Sequence, residues 1–227
     1  MKKSIFGKIM FFTLLSLFAT LSSCKKDKTK SLELEINYKV NNDVFAYDQV
    51  YTIGGKAVKF SLAQFYISGI SVENDALEVF DYEDYLLIKP TQTKYTLGVI
   101  GNQNIDHLHH VKFNVGIDSA TNSQTTNAFN SRTSPDPLAI QNPAMHWSWN
   151  TGYIFVKIDC TVDTDGDGTP ETTGALHLGM NSMFQAIDLT AHSDLEKGTN
   201  TVKMNFNIAK LFDGIDLSTE FSTHTMV

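Results

Sequence analysis

The sequence predicts an all-β domain, an immunoglobulin-like antiparallel β-sandwich with long functional loops, set behind a short N-terminal leader. Three observations carry this reading: strict apolar–polar alternation in several windows, turn-forming residues between those windows, and almost no stretch with a helical period. The elements follow in chain order.

The leader comes first. Lys2, Lys3 and Lys8 precede or open an apolar run from Ile9 to Leu21, and no acid occurs before Cys24. The run is too short to span a bilayer comfortably. It ends in Leu21-Ser22-Ser23-Cys24, small residues leading into a cysteine, the pattern of a bacterial lipoprotein processing site. Residues 1–23 therefore read as a signal peptide and Cys24 as the acylated mature N-terminus. Several acyl chains, at about 0.8 kcal/mol per buried methylene, give durable anchoring where one would not. Residues 24–30, rich in lysine, read as a lipidated tether, and residues 31–227 as one domain with a sizeable core. The expected location is the outer membrane or the periplasmic face of the cell envelope, held there by the lipid.

Loss of residues 1–23 removes three lysines and no acid, taking the net charge from −7 to −10. That sign disfavours nucleic acid as a partner. With Cys24 lipidated, Cys160 has no partner for a disulfide, and its place in an alternating run reads as a small buried hydrophobe.

Within the domain, Leu32, Leu34, Ile36, Tyr38 and Val40 alternate with Glu33, Glu35, Asn37 and Lys39, the signature of a half-buried strand. The pattern returns in Val111, Phe113, Val115 and Ile117, and in Val202, Met204, Phe206 and Ile208. Shorter β-prone runs cover 65–72, 77–80, 85–88, 153–162, 175–180 and 184–189. Ile53-Gly54-Gly55, Asn74-Asp75 and the acidic stretch 163–173 are turns. Only 61–66 and 208–212 have a spacing that suits short helical turns. Two segments read as irregular: 118–143, rich in Ser, Thr, Asn and Pro, and the tail after Asp213. Long loops of this kind often carry function.

The most unusual segment is 142–158, NPAMHWSWNTGYIFVKI, which holds both tryptophans, Trp147 and Trp149, beside His146 and Met145. His177 follows in a small-residue, apolar strand. Imidazole and thioether are ligands that copper favours. A hairpin centred near Asp167 sets His177 opposite Lys157. That leaves His146 about eleven residues away along the strand, beyond reach of a shared ion at about 3.3 Å per residue unless the chain bends near Asn150-Thr151-Gly152.

A second candidate is the loop 163–171, where Asp163, Asp165 and Asp167 alternate before Gly168. This matches the first half of a calcium loop, with Glu171 as a substitute oxygen donor and Gly174 where a closing glutamate belongs. A third is Asp106-His107-Leu108-His109-His110. In an extended chain His107 and His109 share one side and could chelate Cu²⁺ or Zn²⁺, with Asp106 or His110 near. His192 and His224 rank below them. The chain shows none of the common catalytic signatures, and no enzymatic activity is expected.

The chain resembles the MbnP family of periplasmic and lipid-anchored copper-binding proteins. The landmarks are FSLAQFYISGI at 60–70, FNVGIDSATN at 113–122, Asp136-Pro137-Leu138, the MHWSWNTGYIFVKI stretch, and His177-Leu178-Gly179. The resemblance implies a β-sandwich-like fold and a copper site with His177 as first ligand. His146 is a further candidate, and Trp147 or Trp149 is the residue that a partner di-haem peroxidase oxidises to kynurenine. The function it implies is sequestration or delivery of copper. The competing reading is a lipid-anchored structural or adhesion domain stiffened by calcium at 163–171, with the tryptophans in the core.

Overall fold

The computed structural model describes residues 30–82, 84–99, 105–147 and 152–225. The signal peptide, Cys24, all of the tether but Lys30, and Trp149 lie outside them. In chain order the elements are β1 (Lys30–Val40), β2 (Asp43–Val44), β3 (Val50–Ile53), β4 (Lys56–Asn74), β5 (Val79–Asp81), β6 (Tyr85–Ile88), β7 (Lys94–Val99), β8 (His107–Val115), the short helices α1 (Ser119–Asn122) and α2 (Thr126–Asn130), then β9 (Val156–Val162), β10 (Thr172–Leu178), β11 (Gln185–Asp194), β12 (Gly198–Asn207) and β13 (Ser222–Thr225).

The alternation in β1 puts Leu32, Leu34, Ile36, Tyr38 and Val40 on one buried face. That face closes a small sheet in which β12 and β7 flank β1, and β2 pairs with its end. It packs on the inner face of a larger sheet, ordered β11-β8-β4-β9-β10-β13, with β3, β5 and β6 also hydrogen-bonded to β4. Aromatic rings interlock across the gap: Phe206 stacks on Phe65 with centroids 4.3 Å apart, and Phe212 leans on Phe60 at 5.9 Å. This is the predicted sandwich, mostly antiparallel; the pairs β1–β12 and β10–β13 run parallel.

Strand β4 is the spine. It pairs in turn with β3, β9, β6, β8 and β5. Residues 63–68 are buried on both faces, because the inner face meets the sandwich core and the outer face is roofed by the long loop after β8. Under that roof Tyr66, Leu87, Ile117, Leu138, Met145, Tyr153 and Phe155 form a second apolar cluster.

Three expectations change. Residues 61–66 are strand, not a helical turn, and the end of the tail forms β13. The loop 118–143 contains α1 and α2, each started by a side-chain cap: Asp118 accepts from the Thr121 amide, and Thr125 from that of Ala128. The 208–212 turn is a 3₁₀ turn, as its spacing suggested.

Candidate metal sites

The segment before β9 doubles back on itself. Ile154 donates its amide to the Met145 carbonyl at 2.9 Å and Trp147 donates to Gly152 at 3.2 Å, while His146 and Tyr153 form an isolated bridge. Residues 148–151, which include the Asn150-Thr151 pair where the sequence suggested a bend, lie outside the described residues. Phe155 then donates to Leu178 at 2.6 Å, tying this hairpin to the end of β10. Adjacent residues on a paired strand point to opposite sides. His146 accordingly lays its ring on Phe129 of α2, centroids 4.4 Å apart, while Trp147 turns toward Gly179.

The contact at Gly179 is close. A Cβ built there would stand 2.4 Å from the Tyr153 carbonyl oxygen and 2.8 Å from Trp147 Nε1. Only glycine lets the strand end pass beneath the indole, and Trp147 is 5% exposed as a result. Two residues earlier on the same strand sits His177. The register sets it opposite Lys157, as the hairpin centre predicted, and Gly174 opposite Cys160. His177 Nε2 is 2.6 Å from Asp159 Oδ1, a carboxylate that fixes the ring. Lys157 reaches the Ala144 carbonyl at 2.9 Å, so the strand beside His177 is pinned to the chain that carries Met145, His146 and Trp147. On the other side, β13 brings His224 into register with His177.

Burial, then the charge of Lys157, holds the His146 imidazole below its ordinary value, so it is neutral at pH 7. Met145 is 1% exposed within the second apolar cluster and acts as core. Burial, reinforced by Asp159, pushes the Cys160 thiol up to about 12, which leaves it an inert thiol.

A clamp of polar residues, Asp118, Asn122 and Asp136 of the landmark motifs among them, holds this hairpin. Asn122, at the end of α1, accepts from the Tyr153 amide at 2.8 Å and donates to Asn181 Oδ1 at 2.9 Å, joining the hairpin to the turn after β10. Asp118 accepts from Tyr85 Oη and from the Thr121 amide. Arg132 donates to Asp136 at 2.8 Å. The hydroxyls of Tyr66 and Tyr153 reach the carbonyls of Pro137 and Leu138 at 3.0 and 3.2 Å. The motifs FNVGIDSATN and Asp-Pro-Leu thus do structural work around the tryptophan segment. Their signal in the sequence was cap and turn chemistry, not ligand chemistry.

The other candidates are also positioned. Ligand atoms of Asp163, Asp165, Asp167 and Glu171 lie within 4.8 Å of one another. The loop's own amides engage three of these side chains: Asp163 accepts from Gly166 at 2.6 Å and Gly168 at 2.9 Å, Asp165 from Asp167 at 3.1 Å, and Asp167 from Thr169 at 2.7 Å. These bonds explain the alternating acids as turn chemistry. At the far end of the sheet, His107 and His109 both pack against His192, with centroids 5.8 and 4.7 Å apart. Asp106 turns away, paired with Lys30 at 2.6 Å.

Comparison with known proteins agrees with this architecture. None of the curated proteins matches the chain. Among solved structures it is similar to MbnP from Methylosinus trichosporium, with a TM-score of 0.54 over 85% of this chain and 80% of that one; at 14% identity the likeness shows the fold alone. The family model described as MbnP matches residues 29–226, every described strand included. On that span, the chain belongs to the MbnP family.

Proposed function

We propose that this protein is a copper-binding lipoprotein of the cell envelope, anchored through Cys24, that sequesters or delivers copper with no turnover of its own. The observation that carries the reading is the seat at Gly179, which presses Trp147 against the strand end two residues from His177. The residues fit the metal. The ring of His177 is oriented by a carboxylate, the usual second-layer support of a metal-bound imidazole. The neutral imidazole of His146 belongs to the same hairpin as Trp147.

Copper supplies only its affinity for nitrogen donors, highest among the divalent first-row ions. His177 is the proposed first ligand, with His146 and the Trp147–Trp149 segment providing the others. An indole has no lone pair in its ring plane to donate. A di-haem peroxidase that used hydrogen peroxide to cleave the indole C2–C3 bond of Trp147 or Trp149, with C2 then released as formate by hydrolysis, would leave kynurenine, exposing an aromatic amine and a ketone. Asn122, Lys157 and the glycine seat fix Tyr153, Ala144 and Trp147, so a ligand made at Trp147 needs little reordering on binding.

Titration with Cu⁺ and Cu²⁺ tests the proposal, on protein from the native host and on protein made without the peroxidase. Stoichiometric copper is expected. His177→Ala should lose one equivalent of bound copper, and Asp159→Asn should weaken that equivalent about 10- to 100-fold. Intact mass should show one ring carbon replaced by one oxygen in the host-derived protein alone. Absence of stoichiometric copper from both preparations would overturn the reading.

A further inference from the structure

Sheet register breaks twice at the same place. Between β8 and β4 it slips at Glu73/Asn74, and between β8 and β11 it slips at Thr190/Ser193. A strand that alternates keeps neighbours on opposite faces, but a bulge re-aims side chains. Here Leu108 and Val111 are both buried although three residues apart, which leaves His107, His109 and His110 partly exposed on the outer face. The slip in β11 carries His192 to the same spot, against both His107 and His109.

We propose that Asp75, His107 and His192 form a second metal site, for a divalent ion of the Zn²⁺ or Cu²⁺ kind, with His109 standing by as the next donor. One ligand atom from each of the three lies within 4.8 Å of the others. Donors on one ion at about 2.1 Å stand at most about 4.2 Å apart, so small side-chain rotations close the set. Two imidazoles or more with a carboxylate suit these ions, and not Ca²⁺ or Mg²⁺.

Two further features point to a ligand. Asp194 Oδ1 holds His107 Nδ1 at 2.8 Å, which leaves Nε2 facing Asp75 at 3.9 Å, the carboxylate-buttressed geometry of a metal-bound histidine. Asp194 and Asp75 are both exposed, and surface ion pairs of this type are worth too little to gather three imidazoles by themselves. Secondly, His109 Nδ1 is buried and has no hydrogen-bond partner among the described residues. A buried ring nitrogen of this kind is costly unless something arrives to satisfy it, and the His109 ring lies 4.7 Å from that of His192.

This site does not depend on the copper proposal above. Along β4, Glu73 lies opposite His110 and Gln64 opposite Lys157, nine residues apart, or roughly 30 Å at about 3.3 Å per residue. Equilibrium dialysis and calorimetry with ZnCl₂ and CuCl₂ on the full chain test it. Stoichiometric Zn²⁺ is expected on the wild type and, unchanged, on His177→Ala. Binding should fall at least about tenfold in Asp194→Asn. His107→Ala/His192→Ala should lose stoichiometric Zn²⁺. His192→Gln, a change at an exposed position that leaves folding intact, should weaken it too. Wild-type protein that binds no Zn²⁺, or a His192→Gln protein that binds it with wild-type affinity, would overturn the site.

Discussion

Gly179 shows how one residue can decide whether a site exists. Its place in the His177-Leu178-Gly179 landmark gives no physical reason for it, since glycine commonly ends a pairing at the end of a strand. Its role is visible only from the partner, since the Tyr153 carbonyl and the Trp147 indole occupy the space a methyl group needs. Gly179→Ala should cost about 1–3 kcal/mol, because backbone on one side and a packed ring on the other leave the new atom nowhere to go. Urea unfolding measures the loss. An unchanged midpoint would mean that the hairpin slides freely, against the tie from Phe155 to Leu178. The register of His177 against Lys157 was legible from the sequence. The position of His192 beside His107 was not, because a lone histidine in a polar strand carries no mark of the bulge that turns it there.

Strands with clean period-two alternation, such as β1 and β12, were readable because one face meets the core and the other meets water. The first half of β4 was not. A slip between Phe60 and Leu62 breaks the alternation, and the roofing loop then buries both faces, so the spacing of Leu62, Ala63, Phe65 and Tyr66 imitates a helical turn. The loop 118–143 defeated the sequence for a related reason. Its order comes from caps and carbonyl contacts made across the fold, which no local period encodes. Asp118 lies at the centre of that order, and its pH behaviour follows from its bonds. Burial alone would raise the carboxyl, but the hydrogen bonds from Tyr85 and Thr121 outweigh it and hold the group below its usual range. A carboxyl depressed in the folded state adds stability above its unfolded value of about 4 and loses it as pH falls through the folded value. Wild-type protein should therefore lose stability against Asp118→Asn as pH drops below about 4, while the two curves run parallel near neutrality. Thermal melts across that window check the sign. Asn122→Ala, which frees the Tyr153 amide, should cost about 1–2 kcal/mol at any pH.

At the scale of the whole molecule, the larger sheet presents both candidate sites on its outer face and leaves the inner face to the sandwich core. Lys30, where β1 begins, is bound to Asp106 and the Ile105 carbonyl, directly beside His107. With the anchor proposed at Cys24, the histidine cluster would sit at the tethered end, and the His177–Trp147 seat farther along β4. Two sites separated by roughly 30 Å, with no shared side chain, should behave as independent perturbations of one cooperative fold. The prediction is that the stability changes of Gly179→Ala and His192→Gln add in the double variant to within about 0.5 kcal/mol. Zn²⁺ should raise the melting temperature of the wild type and of Gly179→Ala by the same amount, since an ion that binds only the folded state stabilises it by its own affinity and concentration. Coupling larger than that would mean that β4 transmits strain from the indole seat to the register break at Glu73, and that the two sites answer to one another.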